Sequence, residues 1–60
     1  MLRIVCWWKK YYVHDGCNFY GPFHSAEEAK FKAPERKKYT VTNPPKRFKI
    51  VEVLPYDVDD

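Results

Sequence analysis

The run RIVCWWKKYYV, residues 3–13, contains neither Gly nor Pro, and His14 alone separates it from Asp15-Gly16. No other combination in the chain constrains the fold as tightly. Aromatic and β-branched side chains fit the pleated, half-buried surface of a strand. Asp-Gly supplies the two φ > 0 positions that a type I′ turn needs. The first third of the chain is therefore expected to be an antiparallel hairpin, with one strand over 3–13 and a return over 17–21. A two-residue turn would set His14 opposite Cys17, Val13 opposite Asn18, Tyr12 opposite Phe19 and Tyr11 opposite Tyr20.

Downstream the pattern changes period. Ser25 and Glu28 have the spacing of a capping box, which starts a helix at Ala26. Glu27 and Glu28 then complement the positive helix end. Ala26, Ala29 and Ala33 fall on one face and would let the helix lie close to a sheet. Pro34 stops or kinks it. YTVT at 39–42 reads as a short strand, NPPK at 43–46 cannot continue it, and RFKIVEVLP at 47–55 reads as the last strand. The expected fold is α+β, a small antiparallel sheet with one helix in the order ββαββ, or ββαβ if YTVT stays unpaired. One domain spans 1–55, and an acidic tail follows at 56–60.

Side chains alternate along a strand, so the hairpin divides into two faces. One collects Ile4, Cys6, Trp8, Lys10, Tyr12 and His14, opposite Cys17 and Phe19. The other collects Val5, Trp7, Lys9, Tyr11 and Val13, opposite Asn18 and Tyr20. The first face is assigned to the core, which leaves Trp7, Tyr11 and Tyr20 on the surface beside Lys9.

Size limits the chemistry. A chain of 60 residues buries only about 60% of the surface its unfolded form exposes. A single core of this size supplies about 3–5 kcal/mol, little support for a deep catalytic cleft, so a binding module is expected rather than an enzyme. No catalytic residue is assigned. A thiol–imidazole pair at Cys17 and His14 lacks an orienting third group. Cys6, His14, Cys17 and His24 are all zinc-ligand types, but Cys6 lies eight residues from His14, roughly 26 Å at strand rise. No metal and no cofactor are therefore expected, and the two thiols should be unbridged, as suits a reducing cytoplasm. No run is long enough to cross a membrane, and no signal-peptide pattern is visible at the start, so the expected location is cytoplasmic.

Charge is unevenly placed. Residues 30–49 carry Lys30, Lys32, Arg36, Lys37, Lys38, Lys46, Arg47 and Lys49 against Glu35 alone, a net of +7, while the formal charge of the whole chain is +3. Such a block points to a polyanion or an acidic protein surface. Single-strand binders combine a basic groove with rings on which bases stack. The leading expectation is therefore nucleic-acid contact, with Trp7, Tyr11 and Tyr20 stacking beside Lys9, and Lys37, Lys38, Lys46, Arg47 and Lys49 on the backbone. The alternative is a protein-binding accessory factor, an inhibitor or adaptor of the tiny kind that phages encode, because exposed Trp, Tyr and Arg are also hot-spot residues. An open edge strand adds pairing with a second copy as a route to a dimer.

NFYGPFHSAEEA, residues 18–29, resembles the middle of GYF domains through Gly21-Pro22-Phe23 and the Ser25-Ala26 that follows. The match covers about a fifth of the chain. Trp8-Lys9-Lys10-Tyr11 departs from that family's upstream spacing, and no Trp follows the match. A similar strand, GPF and capped-helix unit occurs in SPOR-like repeats. The GYF resemblance implies a ββαββ module that binds proline-rich peptides, the third functional expectation.

Overall fold

The expected first strand is two strands. In the computed structural model, which describes residues 2–55, β1 (Arg3–Trp7) ends where Trp7 pairs with Lys10 at the start of β2 (Lys10–His14). Between them Trp8 and Lys9 have φ of +53° and +63°, the left-handed pair of a type I′ turn. Neither residue is one that normally signals such a turn. Full pairing of β1 with β2, from Arg3↔His14 to Trp7↔Lys10, outweighs a local strain of about 1–2 kcal/mol per left-handed residue.

The Asp15-Gly16 turn forms where expected but is longer. His14 pairs with Phe19 and Val13 with Tyr20, so residues 15–18 make a four-residue loop before β3 (Phe19–Phe23). The side chain of Asp15 is the reason. One carboxylate oxygen accepts the Cys17 amide at 2.9 Å and the Asn18 amide at 2.7 Å, and the other accepts the Tyr20 hydroxyl at 2.7 Å. An Asp that captures amides two and three residues on builds its own turn.

Burial alone would raise the Asp15 carboxyl. The hydrogen bonds from Asn18, Tyr20 and Cys17, with the charge of Arg36 nearby, outweigh it and lower the pKa from 3.8 to about 2. A depressed folded-state pKa stabilises the fold above the unfolded value and is lost as pH falls through the folded one. The stability difference between the wild type and Asp15→Asn should therefore close as pH drops from about 4 to about 2. Urea midpoints across that range check it; a constant difference would separate the loop from the Asp15 charge.

The sheet is four-stranded and antiparallel in the order β3-β2-β1-β4, with β4 at Lys49–Val53. Between β3 and β4 run α1 (Ala26–Lys32) and a 3₁₀ segment (Ala33–Tyr39). The α+β class, the antiparallel sheet and the single α-helix are as expected. The strands are distributed differently, since residues 39–42 contribute an isolated bridge, Tyr20↔Thr40, and no strand. The acidic tail expected at 56–60 lies outside the described residues.

The helix starts as its sequence dictates. The Ser25 hydroxyl accepts the Glu28 amide at 3.0 Å, and the Glu28 carboxylate accepts the His24 amide at 2.7 Å. Ala29 and Ala33 are fully buried with Ala26 beside them, so the alanine face does lie against the sheet. Loss of such a cap costs about 1 kcal/mol. Ser25→Ala should lower stability by that amount in chemical denaturation, and an unchanged midpoint would show that the Ser25 hydrogen bond adds nothing to stability.

Each face of the sheet carries its own apolar cluster. Under the helix lie Leu2, Ile4, Val13, Tyr20, Phe23, Ala29, Ala33 and Leu54, with Tyr11 and Tyr39 at the margin. On the other face lie Val5, Tyr12 and Phe19, with Trp7 and Val41 packed against them. This overturns the sidedness read from alternation. The turn at Trp8-Lys9 sets Ile4 beside Val13 rather than in line with Tyr12, so both expected faces are split between the clusters. Ile4 goes under the helix while Tyr12 and Phe19 go to the other side, and Tyr11, Val13 and Tyr20 go under the helix while Val5 and Trp7 go to the other side. Tyr20 is 4% exposed and Tyr11 half-buried, whereas Trp8, assigned to the core, is 81% exposed.

Topology explains the cover on the second face. β3 and β4 occupy opposite edges of the sheet, so residues 41–48 must cross it. They do so as a strap. The Val41 amide donates to the Phe19 carbonyl at 2.9 Å, Pro45 is buried, and Phe48 meets Phe19 edge-on at 5.3 Å. His14 stacks on the Phe19 ring at 4.0 Å.

Candidate functional site

Trp7 and Trp8 close the β1–β2 hairpin at the end of the sheet where the strap passes. Their ring centroids are 5.6 Å apart and their planes inclined by 31°, within the contact range of aromatic pairs. Trp7 also packs against Val5, Tyr12 and Phe19, which fixes the pair to the sheet. Trp8 reaches outward from the strained turn.

Two adjoining hollows lie between these rings and the strap. One, of about 380 Å³, is lined by Cys6, both tryptophans, Arg47, Phe48 and Lys49. The other, of about 470 Å³, is lined by the same tryptophans and Arg47 together with Asn43, Pro44, Pro45 and Lys46. Both are open grooves in which indole surface, joined by Phe48 in the first and by Pro44 and Pro45 in the second, meets cationic side chains. Among the described residues, no carboxylate lines either one. Among the described residues, the ion pair between Lys30 and Glu52 at 3.2 Å does not involve Lys46, Arg47 or Lys49. Lys9 and Lys10 add two exposed cations at the hairpin tip.

The fold thus brings together Trp7, Lys46, Arg47 and Lys49, with Lys9 at the adjacent turn. It takes four other expected site residues elsewhere. Tyr11 and Tyr20 belong to the cluster under the helix. Lys37 and Lys38 sit on the 3₁₀ segment, which packs against β3, at the opposite edge of the sheet from β4. Arg36, counted in the basic block, is buried at 8% exposure, donates to the Ala33 carbonyl at 3.2 Å and lies over the Tyr20 ring. It anchors the 3₁₀ segment.

Sequence reasoning missed Trp8, Phe48 and Asn43. The signal for Trp8 was a run too long and uniform for a single strand of typical length, about 5–6 residues. Phe48 and Asn43 carried none, since their place depends on the strap crossing the sheet.

The other motifs are structural. Phe23 is 2% exposed, and Gly21 lies beneath the Tyr12 ring, so Gly21-Pro22-Phe23 serves β3 and the core. Cys6 and Cys17 are free thiols, the first half-buried and the second exposed. Among the described residues no group of three or more His, Cys, Asp or Glu could hold a metal ion, and no helix is long and apolar enough to cross a membrane. Compared with protein-family models, with curated proteins and with solved structures, the chain shows no match in any of the three.

Proposed function

We propose that this protein is a non-enzymatic binding module that takes single-stranded nucleic acid in the groove between the Trp7–Trp8 pair and the strap. The observation that carries this reading is Trp8. A large apolar ring stands 81% exposed at φ +53°, a position where Asn or Gly would relieve the strain. Strained residues cluster where a protein does its work. Beside this ring stand Lys46, Arg47 and Lys49, cations suited to a phosphate backbone, while stacking on the indole is indifferent to base identity.

A protein partner is the second reading. Ile50, Val51 and Val53 on the edge strand β4 are 55%, 47% and 46% exposed, an apolar stretch suited to contact with another chain.

Titration of tryptophan fluorescence with a generic single-stranded oligonucleotide at several salt concentrations separates the two. Affinity should fall with salt. Replacing Lys46, Arg47 and Lys49 together with Gln should flatten the slope of log affinity against log salt by about 2, at roughly 0.7 per lost contact. The same change at Lys37 and Lys38 should leave the slope unaltered, since they lie at the far sheet edge. Absence of salt-sensitive binding to DNA or RNA would leave the groove to a protein.

A further inference from the structure

Arg47 is the one strap side chain that lines both hollows, and the two tryptophans form their common wall. Resting on the nucleic-acid reading of this groove, we propose that it is bipartite. It takes two consecutive nucleotides, one in each hollow, with the Arg47 guanidinium on the phosphate that joins them.

Three observations lead there. The indoles already touch, at 5.6 Å between centroids, so no base enters between them and each base must stack on an outward-facing surface. At about 380 and 470 Å³, each hollow falls within the roughly 300–1,000 Å³ of small-molecule sites. Arg47 lines both hollows, and a planar guanidinium is suited to bidentate pairing with a phosphate, which a lysine cannot reproduce. The hollows also differ. Asn43 lines only the second, and its amide can donate to and accept from a base edge. The first has no side-chain amide. One nucleotide is therefore held by stacking and charge, and the other is also read.

Oligothymidylates of one, two and four nucleotides test this, with fluorescence titration at fixed salt. Affinity should rise at least about 10-fold from one to two nucleotides, because a second stacked base is added. From two to four it should rise by no more than a few-fold. Replacing the linking phosphate of the dinucleotide with an uncharged methylphosphonate should weaken binding as much as Arg47→Ala does, and the two changes together should weaken it no further. Asn43→Ala should narrow the spread of affinities among the four homodinucleotides without affecting the Arg47 result. Arg47 is exposed on the strap, so circular dichroism should show its variant folded. Equal affinity for one and two nucleotides, or additive effects of the methylphosphonate and Arg47→Ala, would overturn the bipartite site while leaving the groove a nucleic-acid site. If a long oligonucleotide at low salt also fails to bind, the reading of the groove falls as well.

Discussion

Gly21→Ala is expected to destabilise the protein by about 2–4 kcal/mol, most of the stability that a single core of this size holds. Two effects combine. A Cβ at this position would stand 2.9 Å from Cδ2 of Tyr12 and 3.0 Å from the backbone carbonyl of Tyr11. Gly21 also has φ of +154°, which L side chains rarely adopt. Neither neighbour can move freely. Tyr12 is buried with Val5 and Phe19, and the Tyr11 carbonyl belongs to β2, where the register against β3 shifts between Tyr11 and Val13. The glycine lets an edge strand pass beneath an aromatic ring that covers it. Gly16→Ala is the internal comparison. Gly16 has φ of +98° with nothing within 4 Å of an added Cβ, so only backbone strain, about 1 kcal/mol, is expected there. Urea denaturation of both variants decides the matter. If Gly21→Ala is no worse than Gly16→Ala, the close approach of Tyr12 is not a determinant of the fold.

The double substitution Trp8→Asn with Lys9→Gly should separate stability from binding in opposite directions. Asn-Gly is the preferred pair of a type I′ turn. Relief of two left-handed residues, at about 1–2 kcal/mol each, exceeds loss of the Trp7–Trp8 contact, worth about 0.5–1.5 kcal/mol. Trp8 is otherwise so exposed that removing it opens little core. A net gain of about 1 kcal/mol is expected in chemical denaturation. Affinity for single-stranded oligonucleotide should fall by about 1–3 kcal/mol with the lost stacking surface. The strand register, fixed by five paired positions from Arg3↔His14 to Trp7↔Lys10, should be unchanged in amide NMR spectra. A variant that is more stable and binds as well as the wild type would remove Trp8 from the site. A less stable variant would show that the indole contributes more to the fold than its exposure indicates.

The residues legible in the sequence were those whose role is local. The Ser25–Glu28 cap depends on a three-residue spacing, and the structure contains it. The alanine face depends on helical period alone. The cations of the groove, Lys46, Arg47 and Lys49, stood out as part of a charge block, and Trp7 as a ring beside lysines. Tyr11 and Tyr20 carried the same signal and went to the core, because an aromatic ring is equally suited to a core and to a contact surface.

By itself the sequence determined that the chain would be α+β, that its strands would be antiparallel, that a turn would form at Asp15, and that a helix would begin after Ser25. Each of these follows from the conformational preferences of a few adjacent residues. Only the tertiary structure decided where the first run breaks, which faces are covered, and which cations meet which rings. The turn at Trp8-Lys9 has no favourable local chemistry, and it exists because β1 gains partners on both sides, β2 and β4. That pairing sets β3 and β4 at opposite edges, which forces residues 41–48 across the sheet and brings Arg47 to the tryptophans. Alternation fixes which side chains share a face within one strand. Which face meets the helix is settled by long-range pairing, and no local signal records it.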